Sequence, residues 1–232
     1  MKTKHSVLWD SRKSRYSLFS IAIFLFAATN IGYSMAVTNK YKTYDFKLSS
    51  KIVSFSEPDN YSKDFSKPNT KNQTLNIFDP DVYTDSEYSL VLHKAYWDYG
   101  RSFFIGKVNG TLSMTVALVR TYETQLNLEN GEQFKNALQL DFEHDYDKQT
   151  QEDYGITPPE EYTSQTISTS KWVHYKYDSN GEIRSVYSIP LSEQHYLQII
   201  FSFIDNSTGK ANDWEQQATS TMNQIMSSFQ IK

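Results

Sequence analysis

The stretch DFEHDYDKQTQE, residues 141–152, sets Asp141, Glu143, Asp145 and Asp147 at alternate positions and ends on Glu152 at the twelfth. Alternating oxygen ligands closed by a glutamate are the rhythm of a calcium-binding loop, which also needs glycine at its sixth position for a sharp turn. Here the sixth residue is Tyr146, the third is Glu143, and the eighth, where an apolar side chain packs, is Lys148. A helix through the run would also spread Asp141, Glu143 and Asp145 around its circumference. The pattern therefore reads as a solvated acidic helix end, and no metal is assigned to it. Acids at a helix C-terminus oppose the macrodipole. The run thus either leaves its helix early or faces a cationic partner, with His144 in its midst.

Other reactive residues are scattered. His93, His144, His174 and His195 form no HExxH or short-spaced pair. His174 and His195 are expected on neighbouring strands, where two imidazoles and a carboxylate would be a minimal zinc set. Ser168 to Lys171 spells SxxK, but it enters a strand rather than opening a helix, and no GxSxG elbow occurs. No catalytic residue and no cofactor is assigned. Aromatics make up 15% of the chain. AYWDYG, with Tyr96, Trp97 and Tyr99, offers rings for a partner surface, because such rings combine an apolar body with a polar tip.

These residues need a scaffold. YKTYDFKL and KIVSFSEP alternate as strands, and TLNIFDP is a short one. EYSLVLHKAYW is apolar on both alternating sets, which predicts a central strand. RSFFIGKV, then Asn109-Gly110, then TLSMTVALV read as a hairpin. Phe134, Ala137, Leu138 and Phe142 recur at helical spacing, predicting a helix from about Gly131 to about Asp145. Residues 149–161, with Gly155, Pro158 and Pro159, read as a loop. SKWVHYKYDS and EIRSVYSIPL flank Asn180-Gly181, a second hairpin, and EQHYLQIIFSFID is a central strand. Trp214, Ala218, Met222, Ile225 and Phe229 form the apolar stripe of a terminal helix, with Asp213 as its expected N-cap. This order predicts an α+β fold: an antiparallel β-sheet with packed helices, including a C-terminal amphipathic one.

The N-terminus carries Lys2, Lys4, Arg12, Lys13 and Arg15 ahead of YSLFSIAIFLFAATNIGYSMA. A basic segment, an apolar stretch and a small-x-small end have the form of a signal peptide, cleaved after Ala36. The expected organisation is residues 1–36 as signal peptide and 37–232 as one α+β domain. The alternative is an uncleaved inner-membrane anchor from Ser17 to Val37. With no cysteine, neither a disulfide framework nor a thioether lipid anchor is available. Formal charge is −4, and removing a leader of five basic residues and one acid leaves −8. That balance argues against nucleic acid as partner.

FSEP near the end of an alternating strand, the late hairpin, HYLQIIFSFI and the closing spacing of Trp214, Ala218, Ile225, Phe229 and Ile231 resemble the Mog1/PsbP-like group. The likeness covers mainly residues 171–232. It implies an α/β/α sandwich, and the group includes secreted bacterial immunity-type proteins that neutralise toxins. The leading expectation is a periplasmic, non-enzymatic protein that binds a protein partner, most concretely a toxin, with no membrane insertion after cleavage. Its docking residues are expected to be Asp141, Glu143, His144, Asp145 and Asp147 with Tyr96, Trp97 and Tyr99. The alternatives are an exported metal-binding accessory protein or metal-dependent enzyme, and a membrane-anchored envelope assembly factor.

Overall fold

Alternation of apolar and polar residues builds most of this chain into two sheets. The computed structural model describes residues 40–62, 73–83, 88–100, 108–206 and 213–232. The expected signal peptide and most of the expected strand RSFFIGKV lie outside them. Strands β1 (Tyr41–Leu48) and β2 (Lys51–Pro58) form a hairpin, flanked by β11 (Gln230–Ile231) on β2 and by β3 (Gln73–Leu75), parallel, on β1. The larger sheet runs β4 (Ser89–Tyr99), β5 (Gly110–Arg120), β10 (His195–Asp205), β9 (Glu182–Pro190), β8 (Ser170–Ser179), then β6 (Ile156–Thr157). Strand β7 (Thr163–Ile167) also pairs with β8, and every pairing in this sheet is antiparallel. The protein is α+β.

Helix α1 (Gly131–Asp145) matches the expected span. Asn130 caps it, its side chain accepting from the amides of Glu132 and Gln133, and Phe134, Ala137, Leu138 and Phe142 are buried. They pack on Val173, Tyr175, Tyr177, Val186 and Tyr196 from one face of the large sheet. The acidic run does not fray into a loop. Asp147 accepts a hydrogen bond from the Thr150 amide and opens a second helix, α2 (Lys148–Tyr154), which Gly155 ends in the left-handed conformation at φ 60°. A short polar helix of this kind has no apolar stripe to betray it.

The other face of the large sheet is shared by helix α3 (Trp214–Ser228) and the small sheet. This outer layer is therefore only half helical. Phe229 closes it, stacking on Phe55 at 4.7 Å and meeting Trp172 edge-on at 5.7 Å. Removing such a ring costs about 3–5 kcal/mol. Asp213 stands at the N-cap of α3 as expected, although its side chain makes no capping bond. Gly110 is required by the helix start: a Cβ there would overlap the Trp214 indole. Residues Asn39–Lys232 form one compact unit.

Strand β4 corrects the sequence expectation. Among the described residues it is an edge strand, not a central one. Val91 pairs with Ala117 and His93 with Val116, leaving Leu92 in a bulge. The extra residue turns both alternating sets the same way, so Leu92, His93, Ala95 and Trp97 all enter one core while Val91 is 46% exposed. Asn109-Gly110 is not the hairpin turn either, because Gly110 is already in β5 opposite Tyr99. The Asn180-Gly181 turn does form, both residues having positive φ.

Where the two sheets meet, the core holds a polar network. Glu57 from β2 bonds His93 Nε2 at 2.9 Å and accepts from Tyr61 Oη at 2.7 Å. Tyr61 also bonds Tyr44 at 2.9 Å, and both side chains of the Glu57–His93 pair are fully buried. Buried polar groups are tolerated there because they are hydrogen-bonded to one another.

Candidate functional site

Register places one set of side chains together at an end of the large sheet. Strand β5 ends at Arg120, opposite His195 at the start of β10, and the Arg120 amide donates to the carbonyl of Tyr88 just before β4. The C-terminal turn of α1 lies beside them, with Tyr122 packed on His144. The Arg120 guanidinium lies 5.5 Å from the ring centre of Tyr83 and 4.9 Å from that of Tyr88. Tyr88 meets Tyr122 at 4.0 Å, and Tyr122 stacks on His144 at 3.6 Å. The result is a continuous ladder, Tyr83–Arg120–Tyr88–Tyr122–His144. Beside it, His195 lies 5.9 Å from Tyr83 and meets Phe78, 61% exposed, edge-on at 5.5 Å.

The ladder is pinned from below. Asp141 is 4% exposed and accepts hydrogen bonds from Thr121 Oγ1 at 2.9 Å, the Tyr122 amide at 3.0 Å and Tyr196 Oη at 3.1 Å. Tyr122 Oη donates in turn to Asp145 at 3.0 Å, and His144 Nδ1 lies 3.8 Å from the same oxygen. Burial pushes the Asp141 carboxyl up to about 6 even though all three donors act to lower it. Partial desolvation raises Asp145 as well, opposed by Tyr122 and His144. Burial, then the charge of Arg120, push His195 down to about 4, so it is neutral near pH 7. Stacked aromatics around one arginine, with the exposed carboxyl of Asp145 held at the rim by Tyr122, suit contact with a macromolecule. Arg and Tyr are the residues that dominate binding hot spots.

The expected docking residues separate. Of the acidic run, Asp145 and His144 belong to the ladder and Asp141 is its buried support, not a surface acid. Glu143 is exposed and accepts from Gln139 Nε2 at 2.9 Å, and Asp147 is the α2 cap. Tyr96, Trp97 and Tyr99 lie opposite Ser113, Leu112 and Gly110, at the far end of β5 from Thr121. Eight or more residues of strand make that roughly 30 Å. Trp97 is 1% exposed and donates to the Pro58 carbonyl, so it is a core residue and not a docking ring. Tyr96 and Tyr99 are half-buried. His174 and His195 sit on β8 and β10 with β9 between them, so they are not on neighbouring strands. Among the described residues no group of three His, Asp or Glu is placed to hold a metal ion. Phe78, Tyr83, Tyr88, Arg120 and Tyr122 escaped the sequence reading. Their one signal is RTY directly after an alternating strand, which puts a cation and a ring at a strand end.

Among the described residues, no helix is long and apolar enough to cross a membrane. No family model and no curated protein matches the chain. Among solved structures it is similar to that of LpqN, involved in cell envelope biogenesis of Mycobacterium tuberculosis, with a TM-score of 0.38 and 10% identity over 84% of this chain and 92% of that one.

Proposed function

We propose that this chain is an exported, non-enzymatic protein that works by binding another protein through the ladder end of its large sheet. Its most concrete form is a periplasmic immunity protein of the Mog1/PsbP-like kind that covers a toxin. The observation that carries the reading is the ladder: five side chains in continuous contact, held by a buried carboxylate that has three hydrogen bonds. Side chains fixed before binding lose little entropy on docking, which is where affinity comes from at interfaces of ordinary size. The basic leader ahead of an apolar segment supports export.

The test is a photo-crosslinking residue placed at His144, and separately at the exposed Tyr154 as a control, in the protein exported by its own host. The reading expects one discrete protein adduct from position 144, lost when Tyr122→Leu is added, and none from 154. The captured protein, purified, should kill cells that lack this chain and spare cells that export it. Equal adducts from both positions, or none from 144, would overturn the docking surface. A captured partner without toxicity would overturn the immunity form alone.

A further inference from the structure

On the opposite edge of the large sheet, β8 is paired in two pieces. Ser170–His174 pair with β7 and Asp178–Ser179 with β6, while Tyr175, Lys176 and Tyr177 face no strand on that side. The cause is local: Pro158 and Pro159 have no amide to donate to a ladder, so the chain bows away. Among the described residues, no main-chain hydrogen bond joins 158–162 to β8. Alternate residues of an antiparallel strand point both main-chain groups to the same neighbour, so at least one of the three leaves its N–H and C=O unpaired. The bow encloses a cleft of about 430 Å³ whose lining includes Glu160, Glu161, His174, Lys176, Asp178 and Ile183.

Its size limits the occupant. Thr157 and Thr163 pair with Asp178 and His174, so six chain steps cross a gap of four. The open stretch, Tyr175 to Tyr177, is about 10 Å long, and β7 and β6 already occupy the neighbouring strand position at its two ends. A single side chain fits there and an added strand does not. The charge selects which one. Glu160, Glu161 and Asp178 outnumber Lys176, and among the described residues none of the four is in an ion pair. His174 is held by Ser185 Oγ at 2.8 Å, and burial, then Lys176, push it down, so it stays neutral near pH 7.

We propose that this cleft binds an arginine side chain carried by a protein partner. The guanidinium offers five donors in a plane, enough for both loop glutamates and an unpaired strand carbonyl together. The exposed Ile183 at the mouth would cover the methylene stem. The site is separate from the ladder and does not depend on the docking proposed there.

The test titrates the full chain with acetyl-Gly-Gly-Arg-Gly-Gly-amide, and with the same peptide carrying citrulline or glutamate in place of arginine, following amide NMR shifts. The arginine peptide should shift Lys176 and its neighbours together with 160–163 at millimolar concentration, and the other two should not. Glu160→Gln with Glu161→Gln should weaken binding about tenfold, since charge-assisted pairs are roughly twice as strong as neutral ones. Lys176→Ala should tighten it, and Tyr122→Leu should leave it unchanged. No shift in this region, equal shifts with the glutamate peptide, or binding unaltered in the double glutamine variant would overturn the site.

Discussion

Replacing Asp141 by asparagine separates the charge of the ladder's support from its shape. The side chain is 4% exposed, and its pKa stands near 6 against an ordinary 3.8. Between those values the folded chain holds a proton that the unfolded chain has released. Stability from this group is therefore present in full below about pH 4 and is lost as pH rises through about 6. About two pH units of difference correspond to about 3 kcal/mol. Asp141→Asn removes that dependence and keeps an acceptor for the Tyr122 amide, while the hydroxyls of Thr121 and Tyr196 can turn to accept from the new amide group. Urea unfolding of both proteins from pH 4 to pH 7.5 should give a difference that grows toward high pH in favour of the variant, flat above about pH 7. Curves that stay parallel across the range would refute the claim that burial, rather than hydrogen bonding, controls this carboxyl. Asp141→Ala is the complement: it strands three donors, each costing about 1–3 kcal/mol when left buried, and should lower stability most at acid pH.

Gly110→Ala drives a methyl into the Trp214 ring and should destabilise by about 2 kcal/mol or more in chemical denaturation, whereas Gly131→Ala, whose methyl would meet only the Lys171 ammonium at 3.7 Å, should be nearly neutral. Glu57→Ala removes a buried acceptor shared by His93 and Tyr61 and should lower stability by about 2 kcal/mol or more, read by thermal unfolding. His195, held down near 4, should show no imidazole titration by NMR between pH 5.5 and 8, and Arg120→Ala should move its midpoint upward. Gly181→Ala, at φ 84° in the β8–β9 turn, should cost about 1 kcal/mol, and a loss near zero would question that turn.

The fold was legible wherever one period held over many residues. The stripe Phe134, Ala137, Leu138, Phe142 and the alternation of Leu112, Met114, Val116, Leu118 both lie where their spacing put them. Legibility failed where one residue changed the phase. The bulge at Leu92 made an edge strand look central, because two opposed apolar sets became one face. It also failed for α2, which buries nothing and owes its form to the Asp147 cap and Gly155. The candidate site was half visible. His144 and Asp145 stood out as part of an acidic run, but Tyr88 and Arg120 are 32 positions apart and meet only through the β4–β5 register. Asp141 looked like its neighbours in sequence and differs only by facing inward, toward Tyr196.

The ladder as a docking surface is tested most directly by affinity for the captured partner, measured with the full chain by calorimetry. Tyr122→Leu with His144→Ala should weaken binding by about 2 kcal/mol or more, roughly thirtyfold, with the fold intact by circular dichroism. Glu215→Ala, on the distant α3, should leave it unchanged. Equal affinity for all three proteins would contradict the account.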